Sequence, residues 1–509
     1  MKVVIRADAS LHIGSGHIMR CLVLADELVL HGALVSFACR RQPGDMIGYI
    51  ESRGYDVLEM MEPESWQSPQ HSADYAAWLQ VSQQEDANSF IAQLDNPDWV
   101  IIDHYGIGTE WESAIQSSCD ARIMVIDDLV REHNCDLLLD QTLGRSVDEY
   151  RSKFNRATQI LTGCDYAPMR PQFSTLRARA LDKSATIKAH RVLISMGGID
   201  QPNATLKTMK ALLAFGYPSL MMTVLLSSKA PHYQAVKRYA DSYPDIINHI
   251  DFVEDMAELM FEHTFAIGAP GTTSWERACL GLPSIIVPLA DNQLTISKNL
   301  TEARAALPVA VEEIESTLAD AVEELLAEYD VFRRNAFAIC DGYGVKRVAE
   351  IIIAFEQIKN ETKVMLRKAT HNDITQVYDW QCLPQTRRYA LNPNVPNWDA
   401  HQRWMKGQIA NSDCLFYIVE RYVGNQLHAV GAVRLNRQQK NEYLISIFID
   451  PHYFGQGIAS QCLSILETVH PEIVINATVL KENKASQRLF SKAGYTRLTD
   501  ETFQRKNKS

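Results

Sequence analysis

The sequence lacks any run of apolar residues long enough to cross a bilayer, which takes about 20. Its amino terminus, MKVVIRADAS, has no apolar core of signal-peptide length and reads as a first strand at Val3–Arg6. These absences predict a cytoplasmic protein with no membrane partner. Positive charge is also short: 50 Lys and Arg face 62 Asp and Glu, a formal net charge of −12. A general nucleic-acid binder needs a Lys/Arg excess on at least one face, so nucleic acid is not an expected partner, although a local basic pocket for one pyrophosphate fits the balance. The ten cysteines, among them Cys21, Cys39, Cys135, Cys279 and Cys462, include no C-x-x-C pair and no Cys/His spacing of a zinc site. They read as reduced, mostly buried thiols, and no metal is expected. Low-complexity tracts and internal repeats are missing as well.

What is present is an ordinary globular composition, 46% hydrophobic and 22% charged, in a chain of 509 residues. That length exceeds one hydrophobic core and allows about three. From residue 1 to about 355, short β-branched runs alternate with helix-period segments: VVIR (3–6), VSFAC (35–39), WVIID (99–103), RIMVID (122–127), RVLISM (191–196), MMTVLL (221–226), FAIGA (265–269) and SIIVP (284–288). Strand, helix, strand at this spacing predicts an α/β architecture of parallel sheets covered by helices. Residues 145–190, ending in a charged helical run at Arg177–Lys188, give no clean strand. The junction between two Rossmann-like halves, 1–165 and 166–355, is expected there, with the active site in the cleft between them. A linker is expected at 356–363. An α+β module then occupies 364–509, with strands at Leu415–Glu420, Ala429–Leu435, Glu442–Ile449 and Ile473–Val479 and a closing helix.

The string IGSGHIMR (Ile13–Arg20) follows a strand and opens a helix. Gly14 and Gly16 let backbone amides approach a negative group, and the helix start adds a favourable field. His17 directly after them titrates near neutrality and can take a proton from water. A plain strand-to-helix turn with a capping histidine fits the same string. IIDHYG (Ile101–Gly106) ends another strand with Asp103, His104 and Tyr105, able to orient a base, a water or a sugar, or simply to satisfy a loop. IDDL (Ile126–Leu129) reads better as capping by Asp127 or Asp128. In the second half, SMGGID sets Gly197 and Gly198 after a strand. GAPGTTSWE then sets Thr272, Thr273, Ser274 and Glu276 at a strand-to-helix turn, where hydroxyls and helix-start amides suit a pyrophosphate and a carboxylate suits a ribose diol.

Together these motifs resemble the UDP-sugar hydrolase family of pseudaminic acid biosynthesis, over about 1–355. The resemblance implies a GT-B-like pair of domains and hydrolysis of UDP-2,4-diacetamido-2,4,6-trideoxy-β-L-altrose. It matches the family's catalytic base to His17, its supporting tyrosine to Tyr105 and its UDP-binding hydroxyl and acidic positions to Thr272–Glu276. Asp103 is expected among the catalytic residues, and Gly14, Gly16, Arg20, Gly197 and Gly198 around the substrate. Hydrolysis would be inverting and need no metal.

Further on, EYLISIFIDPHYFGQGIAS (Glu442–Ser460) is a strand ending in a glycine turn, Gly455-Gln456-Gly457, that opens a helix through Ile458 and Ala459. Amides wrapped this way bind the pyrophosphate of coenzyme A, and the strand edge at Ile447 and Ile449 can pair with pantetheine; a generic turn is the alternative. Asn483, Ser486 and KAGY (Lys492–Tyr495) follow at the spacing of a second cofactor wall. These motifs resemble the GNAT acetyltransferase superfamily over about 364–503, which implies acetyl-CoA as co-substrate. Two positions depart from it: His452 stands where Arg or Gln is usual, and Phe490 stands where a tyrosine commonly reprotonates the thiolate, leaving Ser486, Tyr495 or water. Glu442 is the candidate proton relay, or else a solvated edge carboxylate. Arg387, Arg388, Trp398, His401 and Trp404 suit an acceptor sugar or a helix packed by its tryptophans.

The expected function is thus bifunctional: acetylation of the 4-amino group of a UDP-sugar, then hydrolysis. The competing reading is a GT-B glycosyltransferase carrying a non-catalytic acetyl-CoA-binding domain. Oligomeric state is not legible.

Overall fold

The structure is a computed structural model of the 509-residue chain, describing all residues except 72, 155–157, 183–189, 218, 362–363, 424–425 and 507–509, and side chains except also those of 292, 357–361, 422–423 and 426–427. Seven strands form the first sheet: β1 (Lys2–Ala7), β2 (Leu34–Arg40), β3 (Asp56–Met60), β4 (Trp99–Asp103), β5 (Arg122–Ile126), β6 (Leu137–Asp140) and β7 (Gln159–Thr162), in the order β3-β2-β1-β4-β5-β6-β7. Six form the second: β8 (His190–Ser195), β9 (Leu220–Leu225), β10 (Ile247–Ile250), β11 (Phe265–Gly268), β12 (Ser284–Ile286) and β13 (Ala306–Pro308), in the order β10-β9-β8-β11-β12-β13. The pairings β1–β2, β1–β4, β4–β5, β8–β9 and β8–β11 are all parallel. Strands such as β4, buried at all five residues, explain why the runs are continuous instead of alternating: helices cover both faces.

The third sheet is mixed: β14 (Val364–Lys368), β15 (Cys414–Val423), β16 (Gln426–Gln439), β17 (Glu442–Ile449), β18 (Val474–Thr478), β19 (Thr496–Arg497) and β20 (Thr502–Arg505), ordered β14-β15-β16-β17-β18-β20-β19. Only β17–β18 is parallel among its central pairs. The α/β class, with Rossmann-type sheets followed by an α+β domain, agrees with the expectation.

Three expectations are corrected. Residues 145–190 do contain a strand, β7, the edge of the first sheet; at four residues, QILT is too short to show a period. The helix there is Pro171–Asp182, and the remainder of the charged run, 183–188, lies outside the described residues. The polar stretch assigned to a linker continues a helix, Gly344–Glu361. The chain also does not close on a helix: Lys484–Lys492 is followed by the β19–β20 hairpin.

By contacts the chain forms two compact units. One is Met1–Arg131, Leu139–Val147 and Leu161–Glu350; the other is Glu132–Leu138, Asp148–Ile160 and Ile351–Ser509. The second therefore recruits residues from early in the chain: Asp148 pairs with Arg437 at 2.8 Å, and Arg151 lies 3.7 Å from Glu472 and over the Tyr443 ring. Among the described residues, no helix is long and apolar enough to cross a membrane.

Candidate functional site

In a doubly wound sheet, ligands gather at the carboxyl ends of the strands where the strand order reverses. In the first sheet that point lies between β1 and β4, and Asp103 ends β4 in register with Ala7 of β1. The turn after β1 is braced internally: Ser10 Oγ accepts from the amides of His12 and Ile13, and the Gly14 amide donates to Ser10 O at 2.8 Å. Gly14 has φ +78°, which a side chain would strain, and a Cβ at Gly16 would meet open space. The helix Gly16–Leu30 then starts with no side-chain cap and no acidic residue in its first turn, leaving its amides and their positive field to a ligand.

His17, at the second helical position, lies against Asp103, with Nδ1 at 2.6 Å from Oδ1. A carboxylate only accepts, so Nδ1 carries the proton and donates it, and the neutral ring keeps a lone pair on Nε2. Arg20 grips the same carboxylate with Nε to Oδ2 and Nη2 to Oδ1, both 2.6 Å. Asp103 is fully buried, which by itself would raise its pKa, but Arg20 and then His17 hold it well below the usual carboxylate range. The Arg20 fork is thus committed to Asp103, 6% of its side chain exposed. Arg20, expected beside the substrate, here braces the carboxylate that lies against His17.

Tyr105 packs edge-on to His17, centroids 4.8 Å apart. Its hydroxyl donates to Asp128 at 2.6 Å, so the phenol oxygen can only accept from a ligand. Burial, then Asp128, pushes the phenol pKa well up. Asp127 instead closes its own turn, accepting from the Leu129 and Arg131 amides and pairing with Arg131 Nε at 2.7 Å. Sequence reasoning missed two rings that complete this wall, Tyr75 and Trp78, on the short helix Tyr75–Leu79. Trp78 stacks on Tyr105 at 5.7 Å and stands 6.2 Å from His17. The i, i+3 aromatic pair was the available signal.

The second sheet reverses between β8 and β11, and the remaining expected residues sit at those two strand ends. Gly197 (φ +88°) and Gly198 face open space. The start of the next helix, Ala204–Phe215, is occupied, because Asp200 accepts from the Ala204 and Thr205 amides at 2.8 Å. The helix Thr272–Cys279 is the more open start: Thr272 and Thr273 are half-buried, and among the described residues their hydroxyls have no hydrogen-bond partner. Ser274 Oγ is engaged internally, accepting from the Gly271 amide and Arg277. Glu276 lies 3.8 Å from Arg170, yet burial pushes its carboxyl up to about 7 despite the neighbouring arginines. Among the described residues, no hydrogen bond or ion pair joins this group to the His17 group.

In the third sheet β18 pairs with β17 only over Glu442–Ile445, after which the two strands part. The Asp450 amide donates to Val430 O at 2.8 Å. Backbone groups alternate along an antiparallel pair, so those of Phe448 and Ser446 also face β16, and those of Ile447 and Ile449 face the opening. Gly455 and Gly457, both at φ +76°, turn the chain into the helix Ile458–Val469, which has no side-chain cap and no acid in its first turn. Ile458 is buried in the domain core, with Ala459 packed against it. His452 points away, 85% exposed and tied to Asp450, while Arg421 on β15 donates to Gln456 in the turn. Asn483 caps the helix Lys484–Lys492 through the Ser486 amide, so both residues there serve the helix start. Glu442 pairs on both sides at the far end of β17, four residues or about 13 Å of strand from Ser446.

Phe490 is core, 3% exposed between Tyr495 and Phe503, and the Tyr495 hydroxyl is buried with no hydrogen-bond partner among the described residues. His401 is buried and meets Ile374 O, Trp404 carries Arg434 on its face, and Arg387 ties down the Asn392 and Asn394 carbonyls. The packing role accounts for these residues.

Residues 363–496 match the acetyltransferase (GNAT) domain model, and residues 196–338 match the glycosyltransferase family 28 C-terminal domain model. The chain is 24% identical to an uncharacterised protein of Methanocaldococcus jannaschii over 97% of this chain and 96% of that one. It is 28% identical to the UDP-2,4-diacetamido-2,4,6-trideoxy-beta-L-altropyranose hydrolase of Campylobacter jejuni, over 52% of this chain and 82% of that protein. With the spore coat polysaccharide biosynthesis protein SpsG of Bacillus subtilis it shares 24% identity over 69% of this chain and 98% of the relative. Homology to the hydrolase and to SpsG, with a GNAT domain at the carboxyl end, fits a fusion of the two.

Proposed function

We propose that the first unit hydrolyses a UDP-linked 2,4-diacetamido-2,4,6-trideoxy-β-L-altrose to UDP and the free sugar. The GNAT domain, in the same proposal, transfers an acetyl group from acetyl-CoA to the 4-amino group of the precursor, as in pseudaminic acid biosynthesis. The observation that carries the hydrolase reading is the His17–Asp103 pair, fixed by Arg20 where the first sheet reverses. The Campylobacter relative supports the choice of sugar.

His17 Nε2 takes a proton from water as the water oxygen attacks the anomeric carbon opposite UDP. The bond from that carbon to the diphosphate oxygen breaks, its electrons leave on UDP, and the configuration inverts. Asp103 steadies the imidazolium that forms. Amides at the Gly14–Gly16 turn and at the start of Thr272–Cys279 meet the diphosphate charge, with Thr272, Thr273 and Glu276 around the nucleotide and no metal called for. In the GNAT domain the amine attacks the thioester carbon, the coenzyme A thiolate leaves, and the amine proton departs to water, since Glu442 lies at the closed end of β17.

Mass spectrometry of the whole chain fed the UDP-4-amino sugar and acetyl-CoA tests both halves. Free thiol and acetylated sugar should appear first, then UDP and free sugar without any added acceptor. UDP release only on adding an acceptor sugar would make the first unit a glycosyltransferase, and no thiol release would remove the acetyltransferase activity.

The raised carboxyl of Glu276 gives UDP binding a pH dependence. Ribose hydroxyls donate to a carboxylate, so the ionised form binds, and affinity should fall by up to about tenfold per unit as pH drops below about 7. Calorimetry between pH 5.5 and 8.5 would read this as proton release on binding; an unchanged affinity across that range removes Glu276 from the nucleotide. On the cofactor side, Arg421→Ala should weaken CoA binding by about threefold to tenfold, as expected for one exposed phosphate contact, while His452→Ala changes it little.

A further inference from the structure

His104 lies between the two residues that address the candidate base, yet it faces the interior, 3% exposed. Its Nδ1 accepts the Gly106 amide at 3.0 Å, so the ring proton sits on Nε2, which faces Asp8 Oδ2 at 3.4 Å outside hydrogen-bond geometry. An acceptor reaching the amide two residues on is the geometry of an Asx turn, here made by an imidazole. Asp8 is itself immobile. Arg6 grips it with two donors (2.7 and 3.0 Å) and Asp86 with two more (3.1 and 2.8 Å), Arg40 and Trp111 close on Asp86, and the Arg40 amide donates to Asp8. Every one of these groups is 0–1% exposed. Two arginines and two aspartates cancel, and the neutral imidazole adds no charge. On the other side, a Cβ at Gly106 would stand 2.5 Å from the Tyr75 carbonyl and 3.0 Å from the His104 ring, so the turn fits closely beneath the helix that carries Trp78.

We infer that His104 is a positioning residue for the hydrolytic site: seated against the buried Arg6–Asp8–Asp86–Arg40 cluster, its Nδ1 accepts the Gly106 amide and braces the 103–106 turn, fixing Asp103 toward His17 and Tyr105 toward Asp128. The chemistry that uses the brace rests on the hydrolase reading above. The brace itself is a property of the turn.

The test uses the full chain. His104→Phe keeps the ring volume and removes the acceptor; His104→Asn removes volume and keeps an acceptor at the Nδ1 position. UDP release from the UDP-diacetamido sugar should fall in kcat on the order of 10- to 100-fold in His104→Phe, the loss expected of a misplaced catalytic pair. KM and calorimetric UDP affinity should stay near wild type, and His104→Asn should recover most of the rate. A His104→Phe variant with wild-type kcat overturns the inference, as does a His104→Asn variant no better than His104→Phe. If the wild-type chain releases no UDP, the hydrolase reading fails. The brace is then read by hydrogen exchange at the Gly106 amide, which should lose protection in His104→Phe and keep it in His104→Asn; equal protection in both overturns it.

Discussion

His17→Asn should cut UDP release by at least about 10³-fold, near the upper part of what a positioned general base contributes, and leave UDP affinity within about twofold of wild type. Asparagine offers an amide in place of Nδ1–H and so preserves the contact to Asp103, but nothing in it can take a proton from water. Most of the residues proposed to hold the nucleotide, Gly197–Gly198 and Thr272–Glu276, follow strands of the second sheet, and no hydrogen bond joins them to His17 among the described residues. Turnover and UDP affinity should therefore separate cleanly. Steady-state UDP release and calorimetry on one preparation measure the two; retained turnover would remove His17 from catalysis.

Asp86→Ala should destabilise the first unit by roughly 3–5 kcal/mol, the loss typical of breaking a buried pair by deleting one partner. Asp86 accepts from Arg6, Arg40 and Trp111, and its neighbours hold it below the usual carboxylate range against the effect of burial. Without it, Arg6 keeps Asp8, but Arg40, 1% exposed, is left as an uncompensated buried cation. Denaturant titration followed by tryptophan fluorescence reads the change. A loss under about 1 kcal/mol would mean that water or a shifted side chain replaces the carboxylate.

The β-branched runs at 3–6, 99–103 and 191–196 were legible because a strand buried on both faces has no need of polar residues. β6 and β7 were not, since LLLD and QILT are too short for a period to show. His17, Asp103 and Tyr105 could be picked out because each follows a strand, and the fold brings strand ends together. What Arg20 does could not be read, because its partner Asp103 is 83 residues away and a guanidinium near a glycine turn suits a phosphate equally well. The Arg6–Asp8–Asp86–Arg40 cluster was hidden for the same reason: RADAS at the end of β1 looks like the start of a solvated loop, and the matching carboxylate comes 80 residues later. Phe490 misled in the opposite sense. A motif position suggested a missing proton donor, whereas the side chain belongs to the core.

The parting of β17 from β18 leaves open backbone edges in the middle of a sheet instead of at its rim. Unpaired strand edges invite a further strand, whichever chain supplies it. A pantetheine arm carries two amides along an extended chain, so on the proposed reading the cofactor is also a surrogate strand that fills the gap.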